Sequence, residues 1–322
     1  MEPPYVGCYI FPMSEIRVGT ASWTDPGFVA DWYPKSLRAE ERLHWYAEHF
    51  DLVEINSTFY ALPALTSVKR WAKETPEGFL FDVKLPKVLS RHSMQVKFLP
   101  PELRDRVEAD KGVVKLTQAT ERLVANRLLQ LLEPLRDAGK LGVFLLQMSP
   151  AFRPRTHKLS DLDTIAELFS SHPLAVELRN RDWVTRERFE ETASYFRKRR
   201  LTLVLVDAPE SEHFTVMPGF DCVTDQRLGY FRLHGRNAEG YIKGRSVAER
   251  FDYDYSPEEV SEIAGRLRKV DKEVERLHVI ANNNRSNYAP KLAEALRKQL
   301  GLREELQRRL ADRQKTKQMK LL

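Results

Sequence analysis

Six charged or titratable residues stand at alternating positions inside short apolar runs. They are Glu54 in VEINSTFY, Lys84 in FDVKLP, Glu177 and Arg179 in AVELRN, and Arg232 and His234 in FRLHGR. Paired carboxylates can serve as general acid and base where their surroundings split their pKa values, and a histidine can move protons near neutral pH. Arg179 and Arg232 offer planar forks of donors and Lys84 a point charge, a set suited to holding a phosphate or carboxylate. Asp207, near the end of LTLVLVDAP, joins Glu54, Glu177 and His234 as a catalytic candidate. A divalent ion on those four residues is the alternative. The neighbouring cations and the lack of a His-x-His or His-Glu-x-x-His spacing count against it, so no cofactor or metal ligand is expected. No nucleophile elbow or P-loop is present.

Uncharged residues of the same runs form a candidate binding set: Asn56, Thr58 and Tyr60 after Glu54, Gln147 in LGVFLLQMSP, and Asn282 in LHVIANNN. Trp23, Trp183, Tyr60 and Tyr241 near strand ends could stack on a ring or base, although core packing is the commoner role of such aromatics.

These residues need a frame to bring them together. Eight runs rich in aliphatic and β-branched residues recur, at 16–23, 52–60, 79–86, 141–150, 174–180, 201–209, 228–236 and 277–284. Most of the intervening segments carry a helical period. SPEEVSEIAGRLRKV opens with Ser256 as N-cap, Pro257 at the first helical position and Glu259 placed for a capping box, and Ser160 and Thr185 are read as N-caps of two other helices. Strands alternating with helices pair in parallel, and eight of them close as a (β/α)8 TIM-like barrel. Gly19 stands alone after the first strand, without the Gly-rich fingerprint of a doubly wound sheet. The expected order is an N-terminal extension (1–15), one barrel domain (16–300) with an insertion at about 87–116 between strands 3 and 4, and a basic C-terminal tail (301–322). A long helix is expected to start near Thr117.

In a barrel one strand face meets the outer helices and the other faces the interior. Val53 and Ile55 then look outward and Glu54, Asn56 and Thr58 inward. The same parity sends Lys84, Glu177, Arg179, Arg232 and His234 inward, toward the C-terminal mouth where barrel enzymes keep their chemistry. Glu54, Glu177 and Asp207 balance Lys84, Arg179 and Arg232 in charge, so a neutral ionic network that merely packs the barrel is the bland reading. Unpaired buried charge is costly either way.

The 322-residue chain carries a formal charge of +6, and residues 297–322 alone hold nine Lys or Arg against three acids. The tail thus accounts for the whole excess, as a basic helix that frays into disorder and either stays solvated or contacts nucleic acid or a partner. No apolar run is long enough to span a bilayer, and the N-terminus lacks a basic start followed by an apolar block. Only Cys8 and Cys222 are present, without metal-ligand spacing. The expectation is a cytoplasmic protein with no membrane contact and no disulfide framework.

Taken in order, VGTASW, VEINSTFY, FDVKLP with His92 after it, LQMSPAF, VELRNRDW, LVDAP, FRLHGRN with Tyr241 after it, and ANNNRSNYA resemble the YecE-like family, a domain of unknown function. The resemblance spans about residues 16–300. It implies a TIM-like barrel and supplies no reaction. His92 and Asn283, within or beside these motifs, complete the candidate binding set. The chain departs from the family pattern at Ala21-Ser22, Ser149-Pro150 and Ala281, which can reshape a pocket without deleting a charge. The functional expectation is an enzyme, a hydrolase or lyase, acting on a small anionic or phosphorylated ligand. Alternatives are a protein that binds or processes nucleic acid through the tail or the barrel mouth, and a non-catalytic scaffold. Nothing in the sequence fixes an oligomeric state.

Overall fold

A computed structural model describes residues 14–302 of the chain. Its main sheet is a parallel barrel of eight strands: β1 (Glu15–Thr20), β2 (Leu52–Ile55), β3 (Leu80–Lys84), β4 (Leu141–Gln147), β5 (Leu174–Glu177), β6 in two pieces (Thr202–Leu203 and Leu205–Asp207), β7 (Gly229–Leu233) and β8 (Arg276–Ala281). Each strand pairs with its successor and β8 pairs with β1. Closure runs through β6. Its first piece pairs with β5 and its second with β7, while Val204 between them donates its N–H to the Val176 carbonyl at 3.0 Å.

Strand parity follows the hydrophobic pattern. Val53, Ile55, Phe81, Val83, Val176, Phe231 and Leu233 pack in the core, while Glu54, Glu177, Arg232 and His234 are buried on the opposite face. Gly19 has a local reason: a Cβ there would lie 2.0 Å from the Leu52 carbonyl oxygen, so only glycine lets β1 lie this close to β2. Between β3 and β4 the register shifts at Phe81/Val83, and the Asp82 carboxylate accepts the Val143 N–H at 2.7 Å. The irregularity thus places a carboxylate inside the barrel without orphaning a buried amide.

Two of the four expected helix starts are in place. Ser256 Oγ accepts from Glu259 N while the Glu259 carboxylate accepts from Ser256 N, closing a capping box on helix Pro257–Asp271. Thr117 caps helix Gln118–Leu131. Two expectations fail. Ser160 lies inside a 3-10 turn (Leu159–Leu162) before helix Asp163–Leu168, and the helix expected from Thr185 starts at Phe189, because a turn intervenes.

The segment between β3 and helix Gln118–Leu131 holds a 3-10 turn (Val96–Phe98), a short helix (Pro101–Arg104) and a small hairpin of Ala109–Asp110 with Val113–Val114. Leu89, Met94, Leu99 and Leu103 pin it to the core. Arg297, counted with the basic stretch by sequence, is buried and pairs with Asp51 at 3.0 Å, so it is part of the fold. The extension before residue 14 and the tail from residue 303 lie outside the described residues. No helix among the described residues is long and apolar enough to cross a membrane.

Candidate functional site

Near the mouth of the barrel, Arg232 of β7 reaches across to β2 and β5. Its Nε and Nη2 donate to the two oxygens of Glu54 at 3.1 and 2.8 Å, and its Nη1 donates to Glu177 at 2.6 Å. Tyr230 adds a hydroxyl bond to Glu54 at 3.0 Å. Glu177 further accepts from the Gln147 amide at 3.0 Å, from His234 Nε2 at 3.1 Å and from Arg179 Nη1 at 3.4 Å. The Asn282 amide meets His234 Nδ1 at 2.9 Å, so that nitrogen accepts while Nε2 carries the proton. This buried network is a floor in which every carboxylate oxygen is already bonded.

Beneath it lies a second pair that sequence reasoning passed over. His278 Nδ1 bonds the Asp82 carboxylate at 2.9 Å, and both are fully buried. Parity could have found them. Asp82 shares the inward face with Lys84, and His278 shares it with Asn282 two strand pleats on.

Above the floor is a cavity of about 770 Å³. Of the expected residues, Asn56, Tyr60, Lys84, His92, Gln147, Arg179, Arg232, Tyr241 and Asn282 line it. Glu54, Glu177 and His234 sit behind that lining. Lys84 Nζ makes no hydrogen bond or ion pair among the described residues and stands 4.4 Å from the centre of the Phe59 ring. Arg179 lies over the Tyr241 ring at 5.4 Å. Asn56 Nδ2 donates to the Ala21 carbonyl at 2.6 Å, and its buried Oδ1 has no partner among the described residues. The Asn284 Oδ1, also at the cavity, has none either.

Four expected site residues are placed elsewhere. Asp207 pairs in register with Leu233, so its side chain turns toward the outer helices, where Arg236, Arg266 and the Tyr255 hydroxyl hold it at 2.7–3.0 Å. The metal set considered from sequence is therefore not assembled. Thr58 lies past the end of β2 in a 3-10 turn and donates to the Ile55 and Lys84 carbonyls. Trp183 stacks on Phe152 and donates to its carbonyl at 2.8 Å. Asn283 alternates away from Asn282 and donates to the Tyr253 carbonyl at 2.9 Å. Sequence reasoning in turn missed Phe59, Phe214, Arg250 and Phe251 at the cavity. The last three lie outside the strands, Arg250 at the end of the short helix Val247–Arg250 and Phe214 and Phe251 in loops, where no strand parity exists to point at them.

The departure of Asp207 changes the charge balance. Of the expected set, Glu54 and Glu177 now face Lys84, Arg179 and Arg232, two carboxylates against three cations, and the cavity lining adds one of each, Asp25 and Arg250. Removal from water pushes Lys84 down to about 7, helped by Arg232 and opposed by Glu54 and Glu177. Burial alone would raise the Glu177 carboxyl, but Arg232, His234 and Arg179 outweigh it and hold it well below the usual carboxylate range. Burial takes His234 down to about 4 against the pull of Glu177. His92 also falls to about 4, through burial and the nearby Lys84 and Arg179.

The family model "Protein of unknown function DUF72" matches residues 17–318. The UPF0759 protein YunF of Bacillus subtilis is 27% identical over 273 residues, covering 84% of this chain and 89% of that one. The UPF0759 protein YecE of Escherichia coli K12 is 35% identical over 78 residues, 24% of this chain and 26% of that one. Among solved structures, a DUF72 family protein from Enterococcus faecalis V583 has a TM-score of 0.70 at 26% identity, covering 90% of this chain and 98% of that one. A second, from Thermotoga maritima MSB8, has a TM-score of 0.70 at 25% identity, covering 89% and 99%. With these motifs on this barrel and a family match over nearly its whole length, the chain belongs to the DUF72 family.

Proposed function

We propose that the cavity is the active site of a hydrolase or lyase for a small anionic or phosphorylated substrate. The observation that carries this reading is the saturation of Glu54 and Glu177 by the floor, chiefly by Arg232, which leaves Lys84, Arg179 and Arg250 at the cavity wall against the single carboxylate of Asp25 among its described lining residues. Arg179 takes the anionic group, since its planar fork suits a carboxylate or phosphate. Lys84 meets the reacting end. Asn56 Oδ1, buried at the cavity wall and without a partner among the described residues, accepts from a substrate hydroxyl, because a buried acceptor without a partner costs about 1–3 kcal/mol until a ligand supplies one. Glu54, Glu177 and His234 hold the cations in place and do not touch substrate.

Isothermal calorimetry of the full chain with phosphate, sulfate and small phosphorylated metabolites tests this reading. One site per chain is expected, weakened about tenfold or more in Arg179→Ala, a loss of about 1.4 kcal/mol or more. A single-stranded oligonucleotide should not displace phosphate from this site. No binding by any small anion, together with stoichiometric manganese or zinc, would overturn the reading in favour of a metal site.

A further inference from the structure

Lys84 is an unusual lysine by geometry. An ammonium that served only to neutralise buried carboxylate would stand within about 4 Å of one. Among the described residues Lys84 has no such pair, because Arg232 and its neighbours occupy both Glu54 and Glu177. Its Nζ lies instead at the wall of an open cavity, against the Phe59 ring, with Arg179 on the same cavity. An amine desolvated beside other cations is the usual setting of a nucleophilic lysine. With its pKa down at about 7, Lys84 holds roughly a thousandfold more free amine at neutral pH than an ordinary lysine.

Resting on the anion-site reading above, we propose that Lys84 forms a Schiff base with small carbonyl compounds that also carry a carboxylate or phosphate, 2-oxo acids and phosphorylated ketones being the simplest. The neutral Nζ attacks the carbonyl carbon and the carbonyl electron pair moves to oxygen; a proton passes from the nitrogen to that oxygen through water, giving a carbinolamine. A further proton from water and loss of the hydroxyl as water leave a protonated imine. Where the carbon next to the imine bears a hydroxyl-carrying carbon, that hydroxyl gives its proton to water and the bond between the two carbons breaks. The fragment departs as an aldehyde and the bonding pair forms an enamine, with the imine nitrogen as electron sink; this is a lyase step. The enamine carbon takes a proton from water, and addition of water to the imine carbon releases the ketone product and restores the amine. Arg179 holds the charged end of the substrate, and Asn56 Oδ1 accepts from a hydroxyl next to the carbonyl.

Reductive trapping of the full chain near neutral pH tests the proposal. The probes are pyruvate and dihydroxyacetone phosphate, with acetone as the uncharged ketone control, each with sodium cyanoborohydride. The expected result is one secondary amine per chain, mapped by peptide mass spectrometry to residue 84. It should form about tenfold faster with a charged probe than with acetone. Lys84→Arg, which keeps the cation, should give no adduct there, and Arg179→Ala should erase the preference for charged probes while acetone still reacts. Adducts spread evenly over the lysines, or none at residue 84, would overturn the proposal. Phosphate binding by calorimetry without an adduct would leave the anion site standing and defeat the Schiff base. Equal trapping by acetone and pyruvate without phosphate binding would keep the reactive amine and defeat the charged substrate class.

Discussion

Arg232 lies buried across the barrel between two buried carboxylates, donating twice to Glu54 and once to Glu177. Its worth shows when it is removed. Arg232→Met leaves two charges in the interior with their main partner gone, and breaking such a pair costs about 3–5 kcal/mol. Among the described residues Glu177 keeps Gln147, His234 and Arg179, whereas Glu54 keeps only the Tyr230 hydroxyl, so Glu54 should bear most of the cost. Adding Glu54→Gln to Arg232→Met should therefore recover part of the loss. Urea unfolding near neutral pH reads both steps. A loss below about 1 kcal/mol for Arg232→Met, with no recovery in the double variant, would mean that the floor is not held by this arginine.

Among the elements, the eight strands were legible because buried parallel strands leave a strong signal, and the inward face of β2, β3, β5 and β7 could be read by counting alternate residues. Counting stops working where the strand does. Thr58 and Trp183 fall in 3-10 turns just beyond β2 and β5, and their side chains follow the turn rather than the pleat. Asp207 ends a strand interrupted at Val204, and Arg236 and Arg266 hold it among the outer elements. That misplacement mattered most, since Asp207 made the expected pocket neutral and its absence makes the real one cationic. Asp82 and His278 were legible by the same parity and were passed over, because the long apolar runs around them read as core. Phe251 and Phe214 reach the cavity from loops and Arg250 from the end of a four-residue helix, and no local rule of sequence says where such side chains will end.

At the scale of the whole molecule, the site ties folding to pH. His92 and His234 are held near 4 in the folded chain, while an unfolded histidine titrates near 6.5. Between these values the unfolded state binds more protons, so stability falls as pH drops from about 6.5 to about 4. Glu177, held below its unfolded value, loses its contribution as pH falls further through the carboxylate range. Lys84 acts on the other side: its folded value near 7 lies below the unfolded 10.5, so its contribution grows as pH rises between them. Urea unfolding across this range should show stability climbing from pH 4 to 6.5, with a shallower climb in His92→Gln. An unchanged slope in that variant would contradict the assignment.

The central claim is that an unpaired, half-charged lysine waits at the wall of an anion-binding cavity. Nuclear magnetic resonance of the lysine side chains as a function of pH tests it most directly, with Lys84→Arg to assign the signal. One lysine should titrate at about 7, vanish from the spectrum in Lys84→Arg, and shift to higher pH when phosphate is added, because a bound anion favours the ammonium. If every lysine titrates near 10 and phosphate moves none of them, Lys84 is an ordinary solvated cation and the account of the site is wrong.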